Sequence, residues 1–213
     1  MSGFPFPDRI ASREELKRDI LYSRVDKLCE DEIADAAWDR GVEAMKMLIE
    51  RYPGMDIRQM ADALGLTIAH ESKDNVAANI RFFSEYYSGK KKIILYDKSI
   101  SLWANKNQMP VNEAEDLILS HELYHHLECT ELGLTSKIAT VPWIRIGSLT
   151  FGKCGLRSLR EIGAHGFSRT YYDLLRPELE EFKGKTLKNY ALNETELRAR
   201  GIKAKKGIRG LFS

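Results

Sequence analysis

Residues 120–128 read SHELYHHLE, and within them His121, Glu122 and His125 form the pattern HExxH in a stretch of helical character. On an α-helix, residues four apart lie one above the other, so His121 and His125 project from one face and can grip a single ion. Glu122 stands about 100° further round. There a carboxylate can take the proton of a water as it attacks a carbonyl. The spacing therefore supplies two ligands and a base. The preceding turns, EAEDLILS, set Ala114, Leu117 and Ile118 below the histidines, with Leu119, Leu123 and Leu127 on the adjoining side. That pattern predicts a helix buried over most of its surface. Two imidazoles kept for packing alone are the plainer alternative, but a buried helix carrying His-Glu-x-x-His needs something to satisfy its polar groups, and a metal ion does.

Composition sets the frame around this helix. With 213 residues, 43% hydrophobic and 30% charged, the chain can bury one good core with at most a small appendage. A net charge of +2 is too small to mark the whole molecule as a partner of polyanions. Cys29, Cys129 and Cys154 are scattered and contain no CxxC, which argues against a disulfide framework and a cysteine zinc knuckle and fits reduced thiols in a cytoplasm. Cys129, four residues after His125, reads as packing on an apolar helix rather than as a ligand. MSGFPFPDRI has no basic region followed by an apolar run, and no stretch approaches membrane-spanning length, so a cytoplasmic location without membrane contact is expected.

In chain order, residues 13–50 carry Leu16, Ile20, Leu21, Val25 and Leu28, then Ile33, Ala37, Val42, Met45, Leu48 and Ile49, at helical spacings that Pro53 and Gly54 end. DIRQMADALGLTI, residues 56–68, has the Ala and Gly pattern of the first helix and turn of a helix-turn-helix. A recognition helix should follow Gly65 at once, whereas TIAHES and NIRFFSEYYSGKKKIILYD read as strands, the latter joined at Ser88-Gly89. A short helix under a small sheet is expected instead of DNA contact. Residues 99–108 should form a short helix leading through Pro110 into the HExxH helix. Residues 140–155 alternate around Gly147-Ser148, as a β-hairpin or extended flap would. A further helix should run from about Ser158 to Leu175, before Pro177. Residues 178–213 suggest a helical extension, and 198–209 carry six basic residues and no acidic one. That tail is either solvated or a docking arm for nucleic acid or an acidic partner face; direct nucleic-acid binding is not expected elsewhere.

A catalytic zinc takes three protein ligands and leaves its fourth position open. The metzincin pattern would need Gly at 128 and His at 131, where Glu128 and Glu131 stand. His126 points about 100° away from His125. Glu161 and His165 remain, four apart in LREIGAHGFSRTYYDLL, with Ser168 and Tyr172 continuing their face. One can serve as ligand and the other as its supporting partner, and spacing leaves both assignments open.

HELYH followed by a later helix reading ExxAHxF resembles the ImmA/IrrE family of zinc metallo-endopeptidases, of the gluzincin type. The resemblance covers about residues 55–177, from the DIRQMADALGLTI entry through the strand IILYD and the HExxH helix to the Glu helix ending in LLRP. It implies Zn2+ on His121, His125 and Glu161, with Glu122 as general base. The order of expected elements predicts an α+β fold, with N-terminal helices, a small, mostly antiparallel sheet and the two site helices behind it, and the resemblance makes this a minimal gluzincin-like domain. Residues 1–54 would be a helical segment packed on the core, 55–177 the metallopeptidase domain and 178–213 an extension with the basic tail. The chain departs from the family pattern at His165, where Asn or Asp is usual, at Ser168, where Ala is usual, and in the inserted TVPWIRIGSLTFGK. His165 is thus a candidate to orient a ligand, to hold an oxyanion or to displace Glu161, and Tyr172 is a second supporting candidate. The implied role is cleavage of a specific DNA-binding transcriptional repressor, as in phage or mobile-element regulation. The alternative is a zinc-containing module that sequesters its repressor without cutting.

Overall fold

The protein is described by a computed structural model over residues 4–146 and 149–174. These hold six α-helices and three small sheets in an α+β arrangement. The basic segment 198–209 and the expected C-terminal extension lie outside the described residues. No described helix is long and apolar enough to cross a membrane.

The N-terminal region is less continuous than its apolar spacing suggests. Helix α1 spans Arg9–Lys17, a single 3-10 turn covers Tyr22–Arg24, and α2 spans Glu30–Arg51. Ile20 and Leu28, both part of the helical pattern, are 81% and 89% exposed. The cause is local: Asp19 Oδ1 accepts from Leu21 N and Asp26 Oδ1 from Leu28 N, at 2.9 and 3.0 Å. Such side-chain turns compete with helical hydrogen bonds. Leu21 and Val25 still reach the core, where they meet Trp38 of α2 and Leu159 and Ile162 of the last helix. Arg9 and Arg13 clamp α1 to α2 through Asp31, Asp35 and Asp39.

Helix α3, Ile57–Ala63, opens on a capping box in which the Asp56 carboxylate accepts from Arg58 N and Gln59 N while Gln59 Oε1 accepts from Asp56 N. It stops at Gly65, whose φ of +73° suits glycine. The chain passes straight into strand β1, Thr67–Glu71, so no recognition helix follows.

Strands β2 (Asn75–Ala77) and β3 (Ile80–Phe82) form a separate antiparallel pair. β4 (Ser84–Tyr87) and β5 (Lys92–Tyr96) pair antiparallel across a 3-10 turn at Ser88–Lys90, where the sequence places their junction. β1 joins the other side of β5 in parallel, so the order is β1-β5-β4 and β4 is an edge. Three of the four strand pairings are antiparallel; the β1–β5 pairing is the exception.

Ile93 and Leu95 alternate onto the inner face of β5, against α4 (Asp97–Lys106) and α5 (Val111–Leu127). Pro110 caps α5 from outside, its carbonyl accepting from Ala114 N. Ala114, Leu117, Ile118, Leu119, Leu123, Tyr124 and Leu127 are all buried, which makes α5 the central helix, as its apolar pattern requires.

After α5 a π-helical turn covers Glu128–Leu132. In it Glu128 turns inward and Cys129 is exposed, contrary to the expectation of apolar packing at that cysteine. Strands β6 (Thr140–Ile146) and β7 (Leu149–Gly155) form the expected hairpin, anchored where Arg24 donates to Pro142 O. It leads into α6, Ser158–Leu174. Helices α2, α5 and α6 meet at glycines: a Cβ on Gly41 would strike Gly163 O, and one on Gly163 would strike the Tyr124 hydroxyl. That contact sets how deeply α6 seats against α5, and so where residue 161 falls.

Candidate metal centre

His121 and His125 lie one turn apart on α5, and their Nε2 atoms are 3.2 Å apart. Glu161, in the first turn of α6, brings Oε2 to 3.2 Å from His121 Nε2 and Oε1 to 3.5 Å from His125 Nε2. Donor atoms around a tetrahedral zinc, at bonds of about 2.0–2.1 Å, sit about 3.3–3.4 Å from one another. The three side chains fit that triangle, and two imidazoles with one carboxylate suit zinc chemically. Among the described residues one further group of this kind occurs, His70, Asp97 and Glu115. There Glu115 is already paired with Arg58 at 2.6 Å, and Asp97 is held by His70 and Ser72.

Charge follows the same convergence. Burial would raise the Glu161 pKa, but hydrogen bonds from His121 and His125 hold its carboxyl far below the usual carboxylate range. Burial would likewise lower His125; its hydrogen bonds to Glu128 and Glu161 outweigh that and push it up to about 10. His121, His125 and Glu161 thus share charge through their mutual hydrogen bonds.

Glu122 sits apart from the three ligand candidates. Ser84 Oγ, from edge strand β4, donates to its Oε1 at 2.6 Å. That oxygen is thereby held from a strand outside its own helix.

His165 is near the centre but not in it. Its Nδ1 is 3.1 Å from Ser12 Oγ, its ring stacks on Phe6, and its centroid is 5.6 Å from that of His121. Burial pushes its pKa down to about 3, so the ring is neutral. Tyr172 is buried against Phe4, whose ring in turn meets Phe6. Phe6 also lies 5.6 Å from His121 and 5.1 Å from Trp103, so the FPFP segment builds an aromatic wall on this side. His126 faces elsewhere, with Nδ1 bonded to the Tyr86 hydroxyl at 2.8 Å.

Two neighbours of the centre escape sequence reasoning. Phe6 belongs to a terminal segment with no pattern to read. Glu128 does carry a signal, since it stands three residues after His125 on one helix. Its side chain is 0% exposed, and its Oε2 lies 3.0 Å from His125 Nδ1.

Comparison with family models, with characterised proteins and with solved structures finds no match to this chain.

Proposed function

We propose that this protein is a cytoplasmic zinc metallo-endopeptidase whose substrate is a specific DNA-binding transcriptional repressor. The observation that carries the enzymatic part is the convergence of His121, His125 and Glu161 to mutual distances of 3.2–3.5 Å, beside a carboxylate, Glu122, that a purely structural ion has no use for. Zinc held there would polarise a scissile carbonyl and bring the pKa of a water to about 7. Glu122, steadied by Ser84, takes the proton of the attacking water and passes it to the leaving amine. Strand β4 has an edge without a partner strand among the described residues, which suits an extended peptide laid beside the base.

A protein partner is supported by the β6–β7 hairpin, which exposes Trp143, Ile144, Leu149 and Phe151. Clustered exposed apolar side chains of that kind mark interaction surfaces. The repressor itself comes from the family resemblance of the HELYH and ExxAHxF helices. Sequestration without cutting would use the same hairpin but has no role for Glu122.

One gel separates the two readings. The protein is incubated with a repressor encoded beside it, with zinc, with a chelator, and as the Glu122→Gln variant. Fragments that appear with zinc alone support the peptidase; a stable uncut complex in all three lanes supports sequestration.

A further inference from the structure

Among the groups around the centre, Glu128 is the one with a chemical consequence for the ligands themselves. Its Oε1 accepts from Thr135 N at 2.8 Å, and its Oε2 is shared by His125 Nδ1 and Arg160 Nε, each at 3.0 Å. Thr135 N and Arg160 Nε can only donate, and Arg160 compensates the charge of a carboxylate cut off from solvent. An ionised carboxylate has no proton to give, so the hydrogen bond to His125 must carry the imidazole's own.

We infer that Glu128 is a positioning residue of this centre: it keeps His125 Nδ1 protonated, leaving Nε2 as the ring's only metal-binding nitrogen. The inference rests on reading His121, His125 and Glu161 as a metal centre. His121 has no counterpart to this arrangement. Its Nδ1 is buried with no hydrogen-bond partner among the described residues, so tautomer control enters through His125. Glu128 also reaches the third ligand. Arg160 precedes Glu161 in the first turn of α6, and Thr135 begins the segment leading to the hairpin, so one carboxylate ties together α5, that segment and α6. Histidine ligands steered by an outer carboxylate bind metal more tightly, and loss of that partner costs roughly 10–100-fold in affinity.

The test uses the full chain, with zinc alone as probe. In the isosteric Glu128→Gln variant the zinc Kd, read by chelator competition, should weaken by roughly 10–100-fold while thermal unfolding stays cooperative. A Kd within about twofold of wild type overturns the inference. If the variant fails to fold, nitrogen-15 histidine NMR of the zinc-loaded wild type decides: a protonated His125 Nδ1 supports the inference and a bare one overturns it. A wild type that binds zinc but cuts nothing sinks the peptidase reading and leaves the role of Glu128 standing. Should the wild type take up no zinc, the inference falls together with the metal centre on which it rests.

Discussion

Ser84 Oγ donates a 2.6 Å hydrogen bond to Glu122 Oε1, joining the edge strand of the sheet to the helix that carries HExxH. The carboxylate proposed as general base is thereby held from outside its own helix. Ser84→Ala should leave zinc content unchanged and lower kcat by about tenfold, the cost of one hydrogen bond to a charged group. Steady-state cleavage of the cognate repressor, with zinc measured in parallel, checks this.

Glu161 and His165 should separate cleanly when each is removed. Glu161→Ala takes away a donor atom 3.2 Å from His121 Nε2 and should weaken zinc binding by more than about a hundredfold, beyond the loss typical of an outer partner. His165→Ala should retain zinc and cost about 1–3 kcal/mol of stability, because it removes one of the two hydrogen bonds of the Ser12 hydroxyl, leaving that to Pro7 O, and opens a space beside Phe6. Metal analysis and thermal melts of both variants give the answer; a zinc-free His165→Ala would reverse the two assignments.

Proton and metal compete at His125. In the metal-free protein its pKa stands near 10, against an ordinary value of 6.5. Its stabilising contribution is therefore complete below about pH 6.5 and fades as pH rises through about 10. Over the same window zinc must displace that proton, so affinity should increase by on the order of tenfold per pH unit. Chelator competition between pH 6.5 and 8.5 measures the slope, and a flat profile would show that His125 takes no part in binding.

Gly163→Ala should destabilise the fold by about 1–3 kcal/mol, since its Cβ would meet the buried Tyr124 hydroxyl. For a chain of this size that is a fall of roughly 2–12 °C in Tm. Zinc affinity should fall with it, because α6 must back away from α5 and carry Glu161 along. Calorimetry of the metal-free variant, followed by zinc titration, reads both effects.

The centre was legible where its geometry is local. HExxH sets His121 and His125 on one face through helical periodicity alone, and Glu161 could be reached as a titratable group on the next helix; the structure brings the three together. The hairpin at 140–155 was legible from alternation, and the helix expected from about Ser158 is present, while Pro177, read as its end, lies outside the described residues. What escaped depends on partners far away in the chain. The break between α1 and α2 comes from Asp19 and Asp26 diverting backbone donors, which apolar spacing does not register. Glu128 looks like a surface acid until Thr135 and Arg160 surround it. The neutrality of His165 depends on burial, with Ser12 and Phe6 of the N-terminal region set against it.

The bond between Ser12 and His165 spans 153 residues. During synthesis α1 can pair with α2 and Phe6 can reach Trp103 and His121 as each emerges, but the hydrogen bond that joins α1 to His165 waits for the helix bearing Glu161. A nascent chain paused between α5 and α6 holds His121, Glu122 and His125 without Glu161. The three side chains of the candidate centre can therefore come together only once the chain has been made through the first turn of α6.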